Sequence, residues 1–237
     1  MIPKTIHLCW FSGDKYPFEV RACMKTWAKW LPDYKVRMWT YEDAKAINCP
    51  FINEALERRK WAFAADAVRY YAVWKEGGVY MDSDIWLFSD FSHIIPEHGC
   101  ATVNECVVDH GERAGLQAAF FMGEKGNEFC KTMFEYYKNR HFIKPDGTTD
   151  ETVAPYVMAD VAKQFGFKNI DEKQELDGLT IYPTRYLAPL NHYPRTADTF
   201  GMHRILGSWI DYPLGKKLLL KYKHYWHIVK YAVLGRY

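Results

Sequence analysis

No run in this 237-residue chain approaches the roughly 18 apolar residues that a membrane-spanning helix requires, and Met1-Ile2-Pro3-Lys4 leads into a strand-like segment rather than a signal-peptide core. A cytosolic protein is therefore expected. Cysteine is sparse. The six residues (Cys9, Cys23, Cys49, Cys100, Cys106, Cys130) form no CxxC pair, which argues against a cysteine-built zinc site and for thiols used as small hydrophobes. There is no internal repeat, no low-complexity tract and no Ser/Gly linker that would separate a second folded domain. Net charge is also small, at +2, and no nucleic-acid partner is expected.

What is present fits a globular enzyme-sized domain. Hydrophobic residues make up 49%, charged residues 25% and aromatics 17%, which excludes a disordered or collagen-like chain. The small net charge conceals an asymmetry. From residue 215 onward there are six basic residues and no acid, so residues 1–214 carry 25 basic against 29 acidic groups. The excess positive charge belongs to the C-terminus.

Periodicity predicts a first strand over 2–10, with Ile6, Leu8 and Trp10 on one side, then turn chemistry at Phe11-Ser12-Gly13-Asp14. A helix over 18–31 stopped by Pro32 and a strand over 34–39 follow. One long Ala-rich helix is predicted over 52–75, ended by a left-handed cap at Gly77-Gly78 that releases the strand Val79-Tyr80-Met81. Further strands are expected at 101–104, 117–122 and 179–182, with helices at 127–140 and 155–165. This alternation argues for a three-layer α/β sandwich. The loop Pro145-Asp146-Gly147-Thr148-Thr149 has a composition often found beside a site.

The chemistry concentrates between Ala64 and Asp84. Asp66 and Arg69 lie three apart on one helix and share a face. Asp82 and Asp84 are two apart after a short apolar strand, so in extended geometry both carboxylates point the same way. Open α/β sheets hold ligands beyond the carboxyl ends of their strands, where this pair falls. Two hard oxygen ligands with open positions suit Mg²⁺ or Mn²⁺ carrying phosphates better than zinc.

Four motifs together resemble glycosyltransferase family 32: the N-terminal Ile2-Pro3-Lys4-Thr5-Ile6-His7-Leu8-Cys9-Trp10, the A-x-D-x-x-R of Ala64, Asp66 and Arg69, the G-G-x-Y-x-D-x-D of 77–84, and the pair Ser208-Trp209. That family includes capsular polysaccharide and mannosyl transferases and shares its sugar-binding motif with the large glucosylating toxins. The resemblance implies a GT-A fold, that is, a Rossmann-like three-layer α/β/α sandwich with a mixed central sheet. It also implies a nucleotide-sugar donor, with a UDP-sugar favoured, a divalent cation, usually Mn²⁺ with Mg²⁺ as the alternative, and transfer with retention.

Carried over residue by residue, the resemblance has Trp10 stack on the base, while Asp66 and Arg69 hold donor-sugar hydroxyls. Asp82 contacts the ribose and the hydrated metal, and Asp84 ligates the metal. Ser208 and Trp209 close over the leaving diphosphate. His203 stands as the third metal ligand, where the toxins carry an acidic residue. The reaction implied is the transfer of a hexose to a surface polysaccharide or glycolipid precursor. A front-face mechanism is expected, in which the leaving phosphate oxygen takes the acceptor proton.

Several residues stay open between two readings. Tyr80 is a core strand residue or a sugar contact. Asn104, Glu105 and Gln117 are strand-end polarity or contacts to sugar or acceptor. His192, Tyr193 and Arg195 form an aromatic-basic loop for the acceptor side, and His7 is a satisfied structural histidine. Residues 1–212 form the catalytic domain. Residues 213–237 form a basic amphipathic helix, capped by Asp211, with Leu218, Tyr222, Tyr225, Trp226, Val229 and Val233 on one face and Lys216, Lys223 and Lys230 opposite. Such a helix packs on the domain or lies on an anionic membrane. Two rival functions are a phosphohydrolase of the haloacid dehalogenase type, disfavoured because its Asp pair follows the first strand, and a non-catalytic nucleotide-sugar or glycan binding protein.

Overall fold

A computed structural model describes residues 1–105, 115–189 and 195–205, with scattered helical positions between 213 and 229. Seven strands form one mixed sheet: β1 (Thr5–Cys9), β2 (Lys35–Trp39), β3 (Gly78–Met81), β5 (Cys100–Glu105), β6 (Gly115–Gly123), β7 (Gln174–Leu176) and β8 (Leu179–Tyr182). Their order is β2-β1-β3-β6-β5-β8-β7. β1 runs parallel to both β2 and β3, whereas β6 is antiparallel to β3 and β5. A smaller sheet joins β4 (Ile85–Leu87) to β10 (Gly201–His203), and β10 to β9 (Leu187–Pro189).

Helices cover both faces, giving the expected three layers. On one face lie α3 (Pro50–Glu57), α4 (Trp61–Glu76), α5 (Glu128–Lys138) and α6 (Ala154–Ala162), whose apolar residues join one core with Tyr80, Phe121 and Ile181 of the sheet. On the other, α1 (Phe18–Trp30) and the small sheet enclose a second core around Trp27, Ile85, Phe91, Phe120 and Phe200. The Trp27 indole donates to the Ile85 carbonyl at 2.7 Å, tying α1 to β4.

The single long helix expected over 52–75 is two helices. Arg58, Arg59 and Lys60 interrupt it, Arg59 takes φ +54°, and the Lys60 amide donates back to the Ala55 carbonyl at 2.8 Å. The break lets α3 bury Phe51, Ile52, Ala55 and Leu56 while α4 turns along the sheet. A short helix α2 (Tyr41–Ala46) precedes them, closed by a reciprocal capping box between Thr40 and Asp43. Alanines at 64, 65, 67 and 72 let α4 be buried nearly all round.

The expected left-handed cap at the end of α4 also differs. Gly77 has φ +69° and ψ 176°, a region essentially restricted to glycine, and a Cβ there would lie 2.7 Å from the Lys125 amide nitrogen. This turn sends the chain straight into β3. Five cysteines lie among the described residues, all as free thiols and four of them buried, in line with their reading as small hydrophobes.

Candidate active site

The carboxyl ends of β1 and β3, the N-terminal half of α4 and the start of β6 converge on a cavity of about 520 Å³. Asp82 and Asp84 are not in extended geometry, as the spacing had implied. They sit in a tight turn after β3, closed by the Ile85 amide donating to the Asp82 carbonyl at 3.1 Å. The turn, rather than strand alternation, aims the pair inward. β10 delivers His203 beside it, with Nε2 3.4 Å from Asp84 Oδ1. One ligand atom each from Asp82, Asp84 and His203 lies within 4.8 Å of the others.

Two carboxylates and an imidazole are a donor set that suits a divalent cation such as Mn²⁺. The electrostatics agree. Burial disfavours the charged His203 ring, but Asp84, Asp82 and Glu105 outweigh it and raise its pKa to about 9. Its Nδ1 is buried without a hydrogen-bond partner. The residues present fit a metal site.

Asp66 and Arg69 lie in the same cavity, 8% and 5% exposed. Arg69 Nη2 donates to Asp66 Oδ1 at 2.6 Å, Nη1 to the Ala118 carbonyl at 2.7 Å and Nε to the Ala65 carbonyl at 3.2 Å. Nη1 also lies 3.8 Å from Asp82 Oδ2. The guanidinium is therefore a junction joining α4, β6 and the Asp82 turn. Burial pushes the Asp66 carboxyl up, Arg69 pulls it back and Asp82 adds to the rise, leaving it at about 7. Glu105, also on the wall, is raised to about 7 by burial, with His203 opposing.

Tyr80 is a core strand residue whose polar tip reaches the site. It is buried and stacks on Phe121, yet its hydroxyl donates to Asp82 Oδ1 at 2.6 Å and its ring lies under the Arg69 guanidinium at 4.8 Å. Trp10 lies between this cavity and a neighbouring one of about 600 Å³, and its indole NH donates to the Asp14 carbonyl at 2.8 Å.

Gln117 lines the cavity, whereas Asn104 does not. The Asn104 amide donates to the Ile170 carbonyl at 2.8 Å, so it is structural. His7 is also structural, with Nε2 donating to the Gly77 carbonyl at 2.7 Å and Nδ1 accepting from the Trp39 indole at 3.1 Å. Arg195 is exposed and lies over the Phe88 ring at 4.3 Å, outside the wall of this cavity. The 145–149 loop does not line the cavity either. Ser208, Trp209, His192 and Tyr193 lie outside the described residues. Sequence reasoning missed Trp61 and Tyr156, which supply aromatic wall from α4 and α6. The aromatic excess was their only signal.

Residues 17–100, which span the Asp66/Arg69 pair and the Asp-Ser-Asp turn, match the family described as glycosyltransferase sugar-binding region containing DXD motif. This stretch is similar to a DXD glycosyltransferase sugar-binding region. Over 88 residues the chain is 31% identical to inositol phosphoceramide mannosyltransferase 3 of Schizosaccharomyces pombe, an alignment covering 35% of this chain and 24% of that protein. The chain thus matches about a quarter of the length of that curated relative. Among solved structures, the PaToxG glycosyltransferase superposes with a TM-score of 0.50 at 17% identity over 69% of each chain. A glycosyltransferase involved in glycosylation of the major capsid of PBCV-1 gives 0.45 at 14% identity, covering 92% of this chain and 100% of that one. The fold is GT-A, as the motifs had implied.

Proposed function

We propose that the chain is a glycosyltransferase that moves a hexose from a nucleotide sugar, a UDP-sugar foremost, to a growing surface polysaccharide or glycolipid. The transfer uses a divalent cation, Mn²⁺ or Mg²⁺, and retains the anomeric configuration. The observation that carries this reading is the convergence of Asp82, Asp84 and His203 on the wall of the cavity that also holds Asp66 and Arg69. A cation held by those three residues would offset the charge growing on the departing diphosphate.

The chain's own residues position the reactants. Arg69 fixes the Asp66 carboxyl, which accepts from a hydroxyl of the donor sugar, and Tyr80 fixes the Asp82 carboxylate. Trp10, Trp61 and Tyr156 wall the cavity and limit water. The bond from the anomeric carbon to the phosphate oxygen breaks as the acceptor oxygen bonds to the same face. The acceptor proton passes to the leaving phosphate oxygen, so no enzyme carboxylate becomes glycosylated. Trapping a covalent glycosyl-enzyme would overturn this front-face route.

The C-terminal segment 213–237 is assigned to the inner face of the cytoplasmic membrane. Leu218, Tyr222, Tyr225 and Trp226 are exposed, and Lys216 and Lys223 supply exposed positive charge in the same segment. No helix among the described residues is long and apolar enough to cross a membrane. Equal sedimentation with anionic liposomes of the wild type and a Leu218→Ala/Trp226→Ala variant would reject the assignment.

A thermal-shift panel of UDP- and GDP-sugars with Mn²⁺, Mg²⁺ or EDTA tests the main reading, because a ligand that binds the native state raises its melting temperature. One donor should stabilise the protein only with metal, and Asp84→Ala should abolish that shift. Equal donor binding by Asp84→Ala with or without Mn²⁺ would instead favour a non-catalytic binding protein.

A further inference from the structure

The β5–β6 ladder contains an irregularity beside the cavity. Thr102 pairs with Phe121 and Asn104 pairs with Leu116, so Gln117, Ala118, Ala119 and Phe120 stand opposite Val103 alone. All four carbonyls of this bulge are held. The Thr102 hydroxyl is shared between those of Gln117 (3.3 Å) and Phe120 (3.1 Å). Arg69 takes that of Ala118 at 2.7 Å, and the Asp82 amide takes that of Ala119 at 2.8 Å. Bulges next to sites re-aim side chains, and this one is locked to the residues assigned to the donor.

The side chain it presents is the exception to this satisfaction. Gln117 is 1% exposed and belongs to the cavity wall, yet neither Oε1 nor Nε2 has a hydrogen-bond partner. A primary amide carries two donors and an acceptor oxygen, and burying it unpaired costs stability that folding alone does not return. The cavity wall also carries Asp66, Asp82 and Glu105, which offer acceptors when ionised, and Gln117 adds a neutral group that both donates and accepts. A hydroxyl is its chemical complement, whereas a diphosphate is matched by the metal-binding end.

We propose that Gln117 is a specificity-determining residue that hydrogen-bonds a ring hydroxyl of the transferred hexose. The inference rests on the reading above that the cavity takes a nucleotide sugar. The test is isothermal titration in Mn²⁺ of wild type, Gln117→Leu and Gln117→Met with UDP, GDP and their glucose, galactose, N-acetylglucosamine and mannose conjugates.

The variants should bind the free nucleoside diphosphate within about twofold of wild type, and bind the accepted nucleotide sugar about tenfold or more weakly. One monodeoxy analogue of that donor should bind wild type and variants alike. Unliganded Gln117→Leu or Gln117→Met should melt at or above the wild-type temperature, because an apolar isostere removes an unpaired buried amide. Unchanged sugar-nucleotide affinity in both variants would overturn the inference while leaving the functional reading intact. So would lowered melting of both variants with uniform loss for nucleotide and nucleotide sugar, since that is the mark of a structural amide. Folded wild-type protein that binds none of these ligands would overturn both.

Discussion

Replacing Arg69 by methionine tests the junction on which the cavity is built. The substitution keeps length and apolar stem and removes the 2.6 Å ion pair with Asp66, the 2.7 Å bond to the Ala118 carbonyl and the 3.2 Å bond to the Ala65 carbonyl, together with the 3.8 Å approach to Asp82 and the contact over the Tyr80 ring. Stripping one partner from a buried ion pair costs about 3–5 kcal/mol, and an orphaned buried carbonyl adds about 1–3. Asp66 limits the first figure. With its carboxyl already raised to about 7, it can shed its charge by binding a proton at neutral pH. A net loss of about 3–5 kcal/mol follows, or about 6–20 °C in melting temperature for a chain of this size.

Urea denaturation at pH 7 reads the loss directly. Arg69→Lys should recover less than about half of it, because an ammonium cannot span the carboxylate and the carbonyl as the planar fork does. Asp66→Asn alone keeps an acceptor for Arg69, and in a double-mutant cycle the pair should show a coupling of about 1–3 kcal/mol. A cost below about 1 kcal/mol for Arg69→Met, or additivity within about 0.5 kcal/mol, would refute the junction.

Further consequences can be checked in the same way. His7 is held neutral, since burial lowers its pKa below the ordinary 6.5 despite the Gly77 bond that raises it. The unfolded chain then binds more protons, so stability should fall as pH drops through 6.5, by at most about 1.4 kcal/mol per pH unit, and His7→Gln should flatten that limb in urea titrations across pH 5–8. Gly77→Ala forces a Cβ against the Lys125 amide nitrogen in a backbone region closed to alanine, and should cost about 2–5 kcal/mol by thermal unfolding. Asn127 accepts from the Cys130 amide at 2.8 Å and caps α5, so Asn127→Ala should lower stability by about 1 kcal/mol without altering donor binding.

Local signals were legible where one force decided the outcome. Alternation and glycine punctuation located β1, β3 and β8, and the Asp-Ser-Asp and Asp66/Arg69 spacings located the cavity. The break between α3 and α4 was hidden because the Ala-rich run carries helix propensity throughout, and only packing required the interruption at Arg58–Lys60. The strands β4, β7, β9 and β10 have three residues each, too few to show a period. Gln117 and Asn104 looked alike in sequence. Which of them faces the cavity is set by a bulge whose carbonyls are held by residues 15 to 49 positions away, a tertiary feature without a local trace.

Asp82, Asp84 and His203 are proposed to hold a cation that the reaction requires. The most direct measurement is release of nucleoside diphosphate from the donor that stabilises the protein, with wild type and Asp84→Asn compared in Mn²⁺ and in EDTA. Wild type should release it in Mn²⁺, and release should fall about a hundredfold or more both in EDTA and in folded Asp84→Asn. Equal release with and without metal, or an Asp84→Asn variant as active as wild type, would contradict that requirement.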